Sequence, residues 1–135
     1  MATILLIEDE PTLSDMYQLM LQLKGHTVDT ARNGSDGIVK AQQSKPQVIL
    51  LDMMMPVLSG IETLKQLKAD LQLKEVPVVM LSNLADDQQA DLAKKEGAAN
   101  YVIKSDCTAD SLHQLVSAIV SSGQPSEQAP GRLVA

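Results

Sequence analysis

Phenylalanine and tryptophan are absent from this 135-residue chain, and two tyrosines, Tyr17 and Tyr101, are its only aromatic side chains beyond histidine. A base-stacking platform for single-stranded nucleic acid needs more rings than that. The core must instead be built from Leu, Ile, Val, Met and Ala. A single cysteine, Cys107, excludes an internal disulfide and suits a reducing compartment. A basic surplus is missing too. The net charge is −6, so no broad positive surface tracks phosphates and direct nucleic-acid binding is disfavoured. No apolar stretch approaches the roughly 20 residues of a membrane span. Met1-Ala2-Thr3 lacks the charged and apolar regions of a signal peptide. These absences predict one cytoplasmic domain with a core of its own and no membrane contact.

What is present is a set of short oily runs, each ending in a polar group. Val48-Ile49-Leu50-Leu51 runs straight into Asp52, Ile4-Leu5-Leu6-Ile7 into Glu8-Asp9, Val78-Val79-Met80-Leu81 into Ser82, and Tyr101-Val102-Ile103 into Lys104. Unbroken apolar runs of this length suit strands buried on both faces, as in a parallel sheet. Between them lie helical patterns. Leu13, Met16, Tyr17, Met20 and Leu23 recur at helical spacing before Gly25, and Ile61, Leu64, Leu67 and Leu71 mark another helix. Asn33-Gly34 turns into a helix over about 35–44 with a thin face at Ile38 and Ala41. Asp86 or Asp87 caps a helix over 86–96 facing inward through Ala90, Leu92 and Ala93. A last helix over about 108–121 turns Leu112, Leu115, Val116, Ile119 and Val120 inward. Residues 122–135 are Gly-, Gln-, Pro- and Ser-rich and read as a flexible tail after a 1–121 domain.

Thr27-Val28-Asp29-Thr30 reads as a fifth strand, weak and polar and suited to a sheet edge. Five strands alternating with five helices predict a doubly wound α/β domain, a five-stranded parallel sheet of flavodoxin-like order 2-1-3-4-5 with helices on both faces. That order sets the first and third strands side by side at the topological switch point, where Glu8, Asp9 and Asp52 share a crevice. Three carboxylates in one pocket repel, so their pKa values rise or a cation joins them. An oxygen-preferring ion such as Mg2+ fits. Together with Lys104 the charges then sum to zero, which suits an incoming phosphoryl group. Asp52 is the best nucleophile, standing alone at the end of a central strand, and Ser82 can offer a hydroxyl to a phosphoryl oxygen. Taken one at a time, each residue has a plainer explanation: Glu8 and Asp9 as helix caps, Asp52 as a turn acid, Ser82 as a loop serine, Lys104 as a solvated lysine, Tyr101 as cover for one strand face. Convergence on one sheet edge outweighs those explanations.

The set Glu8-Asp9, Leu51-Asp52-Met53-Met54-Met55-Pro56 with Gly60, Ser82, and Gly97-Ala98-Ala99-Asn100-Tyr101-Val102-Ile103-Lys104 resembles a two-component response-regulator receiver domain over about residues 3–121. The resemblance implies that Asp52 is the phosphoacceptor, fed by a histidine kinase or a phosphotransfer protein. It implies Mg2+ bound through Asp9, Asp52 and the backbone carbonyl of Met54, with Glu8 acting through water. It also implies that Ser82 and Lys104 bind phosphoryl oxygens and that Tyr101 swings inward with Ser82. Output would pass to a partner protein through the face of the fourth helix, fifth strand and fifth helix, from a monomer or a phosphorylation-dependent dimer. Such a chain catalyses its own phosphorylation and acts on no separate substrate.

Three departures from the family pattern stand out. Ser105 follows Lys104 where the family usually has Pro, often with a cis peptide; a cis bond before a non-Pro residue costs about 2.5–4 kcal/mol, so the resemblance does not fix this loop. Asn83 stands where a smaller residue is common and narrows access for small phosphodonors. Met54 and Leu84 are apolar at the two positions that tune loss of the phosphoryl group, which predicts a long-lived phosphoryl state. Two rival functions fit less well. A Mg2+-dependent aspartyl-phosphate phosphatase needs a second acid where Met54 stands. A flavodoxin needs a phosphate-cradling loop where Glu8-Asp9-Glu10-Pro11 stands. A phosphate-independent, receiver-like adaptor is the remaining alternative. His26 and His113 read as surface residues, and Cys107, at a helix start that could slightly acidify it, reads better as a buried or merely tolerated thiol.

Overall fold

The computed structural model describes residues 2–83 and 85–122; Leu84 and the predicted tail beyond Ser122 lie outside the described residues. Strands and helices alternate as β1 (Thr3–Ile7), α1 (Pro11–Leu23), β2 (Thr27–Ala31), α2 (Gly34–Ser44), β3 (Val48–Asp52), α3 (Gly60–Ala69), β4 (Val78–Ser82), α4 (Asp87–Lys95), β5 (Asn100–Ile103) and α5 (Ala109–Ser122). All strand pairs are parallel, in the order β2-β1-β3-β4-β5. Sequence reading predicted this flavodoxin-like order. Ser122, assigned to the tail, instead closes α5, its hydroxyl donating to the Ile119 carbonyl.

The sheet separates two apolar layers because successive strand residues point to opposite faces. Ile4, Leu6, Leu50, Val79 and Leu81 pack toward α1 and α5 with Tyr17, Leu21, Leu112 and Val116. Leu5, Ile7, Ile49, Leu51 and Met80 pack toward α2, α3 and α4 with Ala41, Leu64, Leu67 and Ala93. Every residue of β3 and β4 is buried, as the unbroken oily runs required. Side chains begin the helices. Glu10 accepts from the Thr12 N–H, Asn33 from Asp36, and Asp86 from Gln88 and Gln89, while Ser59 and Glu62 cap α3 reciprocally.

Several residues expected inside lie outside. Met16 and Leu23 are exposed on α1, since Tyr17 and Leu21 take its inner line. Helix α3 ends at Ala69, which leaves Leu71 exposed while Leu73 turns into the core. On α4 only Ala93 is buried, and Leu92 sits on the flank. Helix α2 approaches the sheet through Gly34, Gly37 and the expected Ala41, with the expected Ile38 half-buried against the same layer. Conversely His26, read as a surface residue, is 5 % exposed. It is buried because its Nδ1 accepts the Ala2 N–H at 3.0 Å and its Nε2 meets His113 Nδ1 at 2.8 Å.

The loop from β3 to α3 is tightly built. The Gly60 N–H donates to the Met53 carbonyl at 3.0 Å, and a Cβ on Gly60 would stand 2.3 Å from the Asp52 carbonyl oxygen. Only glycine permits that approach. Val57, in the same loop, holds a left-handed φ of 71° with its side chain in solvent.

Candidate functional site

Parallel register brings the polar strand ends together. Ile7 pairs with Leu51, Asp52 with Leu81, and Ser82 with Ile103. Glu8 therefore follows β1 beside Asp52, and Lys104 follows β5 one residue beyond Ser82. Carboxylate oxygens of Glu8, Asp9 and Asp52 lie within 4.8 Å of one another, the one such group of three acids among the described residues. Glu8, Asp52 and Ser82 are buried and Asp9 is half-buried at the rim.

Lys104 is drawn into this crevice. Its Nζ lies 2.9 Å from Glu8 Oε1 and 3.1 Å from Asp52 Oδ1. Two backbone amides add support: Glu10 N–H donates to Glu8 Oε2 at 3.2 Å and Met54 N–H to Asp52 Oδ1 at 3.3 Å. Burial, then the charge of Glu8, push the Asp52 carboxyl up to about 6, against the pull of Lys104. On Lys104, burial pulls the pKa down, but hydrogen bonding to Glu8 and the charge of Asp52 outweigh it, and the net shift is upward. Lys104 thus stays an ammonium in a pocket that holds Asp52 only reluctantly ionised.

The donor set fits a hard divalent cation. Three clustered carboxylates against one ammonium leave two negative charges uncompensated, and all the side-chain acceptors are oxygens. Met54 presents its N–H to Asp52 while its side chain stands in solvent.

Tyr101 is half-buried against the α2–α3–α4 layer. A cavity of about 180 Å³ lies beside it, lined by Ala90, Asp91, Lys94 and residues 98–101. A second, of about 450 Å³, runs between β5 and α5. The loop after Lys104 forms a short 3-10 turn, Lys104–Asp106, and no peptide among the described residues is cis, so Ser105 is accommodated in trans. Asn83 is exposed beside Ser82. Cys107 precedes α5 half-buried, and burial pushes its thiol up rather than acidifying it.

One neighbour of the site was not singled out from the sequence. Tyr17, read simply as an apolar position of the first helix, is buried, which raises its phenol. The charges of Cys107, Lys104, Glu8 and Asp52 also act on it. Its only signal was the scarcity of aromatics. The pairing of Lys104 with Glu8 likewise had no sequence signal, since 96 positions separate them.

Fold and site together define a doubly wound α/β domain with an acid-and-lysine crevice at the switch point. Residues 4–117 match the family described as the response regulator receiver domain. The chain belongs to that family, the receiver domains of two-component response regulators. It is 39 % identical over 106 residues to Protein PilH of Pseudomonas aeruginosa, covering 77 % of this chain and 86 % of PilH. It is 34 % identical to the transcriptional regulatory protein AfsQ1 of Streptomyces coelicolor, again over 77 % of this chain but only 45 % of that longer protein. Among solved structures, the chemotaxis protein CheY4 of Vibrio cholerae superposes with a TM-score of 0.82 at 28 % identity, covering 88 % of this chain and 98 % of CheY4. A receiver domain from Clostridium thermocellum gives 0.83 at 31 %, over 90 % and 96 %. Receiver domains are signalling domains that bind Mg2+ through acidic residues and work with histidine kinases and output partners. Among the described residues no helix is long and apolar enough to cross a membrane.

Proposed function

We propose that this chain is a phosphorylation switch in which Asp52 accepts a phosphoryl group. The observation that carries the reading is Lys104 Nζ held between Glu8 and Asp52 at the mouth of a three-carboxylate cluster. One Asp52 carboxylate oxygen attacks the phosphorus of a phosphohistidine on a histidine kinase or phosphotransfer protein. The P–N bond breaks as the P–O bond forms, and the departing imidazole takes up a proton. The Lys104 ammonium, already 3.1 Å from Asp52, turns to a phosphoryl oxygen, and the Ser82 hydroxyl donates to another. Mg2+, held by Asp9, Asp52 and the Met54 carbonyl with Glu8 through water, would neutralise charge on the phosphoryl oxygens.

Domain 1–121 then changes state by a shift between two arrangements, with Ser82 drawn toward the phosphoryl group and Tyr101 moving inward. The hollows on both sides of β5 support such movement. The α4–β5–α5 face carries output to a partner protein, as a monomer or a dimer formed on activation. The chain acts on no substrate but itself, and Met54 two residues after Asp52 disfavours a phosphatase, which needs an acid there. Its lone thiol and a kinase donor suit the cytoplasm.

The test is incubation with Mg2+ and acetyl phosphate or phosphoramidate, followed by intact mass. The expected result is one added phosphoryl group that requires both Mg2+ and Asp52 and is absent from Asp52→Ala. An adduct retained by Asp52→Ala overturns the assignment. If neither the small donors nor a phosphorylated phosphotransfer protein modifies the wild type, and Mg2+ does not bind, the adaptor reading replaces it.

A further inference from the structure

Far from the crevice, two histidines join three elements that have no part in phosphoryl transfer. His26, between α1 and β2, is buried and His113 on α5 is half-buried. Their hydrogen bonds admit one pattern of protons. His26 Nδ1 accepts the Ala2 N–H at 3.0 Å, so that nitrogen carries no hydrogen. A neutral His26 then bears its proton on Nε2 and donates it across 2.8 Å to His113 Nδ1. His113 Nδ1 must therefore be bare, with its own proton on Nε2. A second proton on His26 would face the Ala2 N–H, and a second proton on His113 would face the His26 Nε2–H. Either charge breaks one bond of the relay.

We propose that His26 and His113 form a pH-sensitive latch that holds the N-terminal half of α5 on the α1–β2 turn and releases it on acidification. The surrounding charges leave the titration to the rings. On α5 the only titratable groups are Asp110 and His113. Asp110 pairs with Lys24 at the end of α1. The Lys24 hydrogen bond and charge hold its carboxyl below the usual range, so this ion pair persists through mild acid. Strand β1 has no ionisable side chain, and Asp29 on β2 is paired with Lys40. Asp15, the only ionisable side chain near-acid on α1 besides its tyrosine, is exposed. Burial, the charge of His113 and the α-amino group all depress His26. A histidine depressed below its ordinary 6.5 contributes stability above that pH, and the contribution is lost as pH falls through the window between 6.5 and the folded value.

The test uses the whole chain. Long-range nitrogen–proton NMR correlation at about pH 7.5 reads the tautomers. The expected result is protons on Nε2 of both rings and bare Nδ1 atoms. Below the histidine pKa, amide protection of Ala2 and the first turns of α5 should fall about tenfold per pH unit, after correction for intrinsic exchange. The thermal midpoint of the wild type should drop on acidification more steeply than that of a His26→Asn/His113→Asn double variant, in which amide oxygens take the place of the accepting Nδ1 atoms. Asp52 titrates equally in both chains and cancels. A proton on His26 Nδ1, or a wild-type pH dependence equal to that of the double variant, overturns the latch. Should the double variant fail to fold, the wild-type tautomers and exchange decide.

Discussion

Neutralising Asp52 should stabilise the fold at neutral pH and not in acid. Asp52 is 4 % exposed, and its carboxyl rises from 3.8 to about 6 through burial and the charge of Glu8. A group whose folded pKa is raised binds its proton more tightly in the folded state. Stability is therefore greatest below 3.8, declines as pH rises toward about 6, and stays at the lower level above that. A rise of about two pKa units corresponds to about 3 kcal/mol of stability lost on ionisation. Asp52→Asn keeps the side-chain volume and an acceptor for the Met54 N–H, and leaves Lys104 its 2.9 Å bond to Glu8. The variant should exceed the wild type by up to about 3 kcal/mol at about pH 8, with the advantage gone near pH 4. Urea unfolding across that range, without divalent ions, measures it. Adding Mg2+ should then narrow the gap, because the cation favours the charged cluster over the amide. A variant no more stable than the wild type at high pH, or an advantage that survives into acid, refutes the reasoning.

Two further substitutions test the loop that carries Asp52. Gly60→Ala places a methyl 2.3 Å from the Asp52 carbonyl oxygen and 2.6 Å from Met53 Cα. It should cost about 1–3 kcal/mol in urea unfolding and slow phosphorylation of Asp52 by displacing its backbone. Val57→Asn replaces an exposed β-branched residue at φ 71° by one that tolerates the left-handed region. It should gain about 1 kcal/mol, and an unchanged denaturation midpoint would show the loop unstrained.

Much of the architecture was legible because each central strand is buried on both faces and so must be continuously apolar. An acid, serine or lysine at the end of such a run stands out against it, and parallel topology carries all these groups to one edge. Helix faces were harder to read. The spacing of Leu13, Met16, Tyr17, Met20 and Leu23 reports an apolar stripe but not how much of its width the sheet covers, and Met16 and Leu23 fall outside that width. Leu71 misled for another reason: the chain leaves the helix at Asp70, whose side chain accepts from the Gln72 N–H, and Leu73 turns inward instead. His26 carried no pattern, since its burial depends on a partner 87 positions away.

The sequence by itself determined the element order, the strand ends and the residues available for chemistry, because these depend on local periodicity and on which groups water will not release. Only the tertiary structure decided that Lys104 bridges Glu8 and Asp52, that burial and Glu8 push the Asp52 carboxyl up to about 6, that Ser105 follows Lys104 in trans and that two histidines are hydrogen-bonded to each other. Coulomb energy, desolvation and hydrogen-bond direction change steeply over an ångström. Distances of that kind between residues far apart in the chain are set by register and packing.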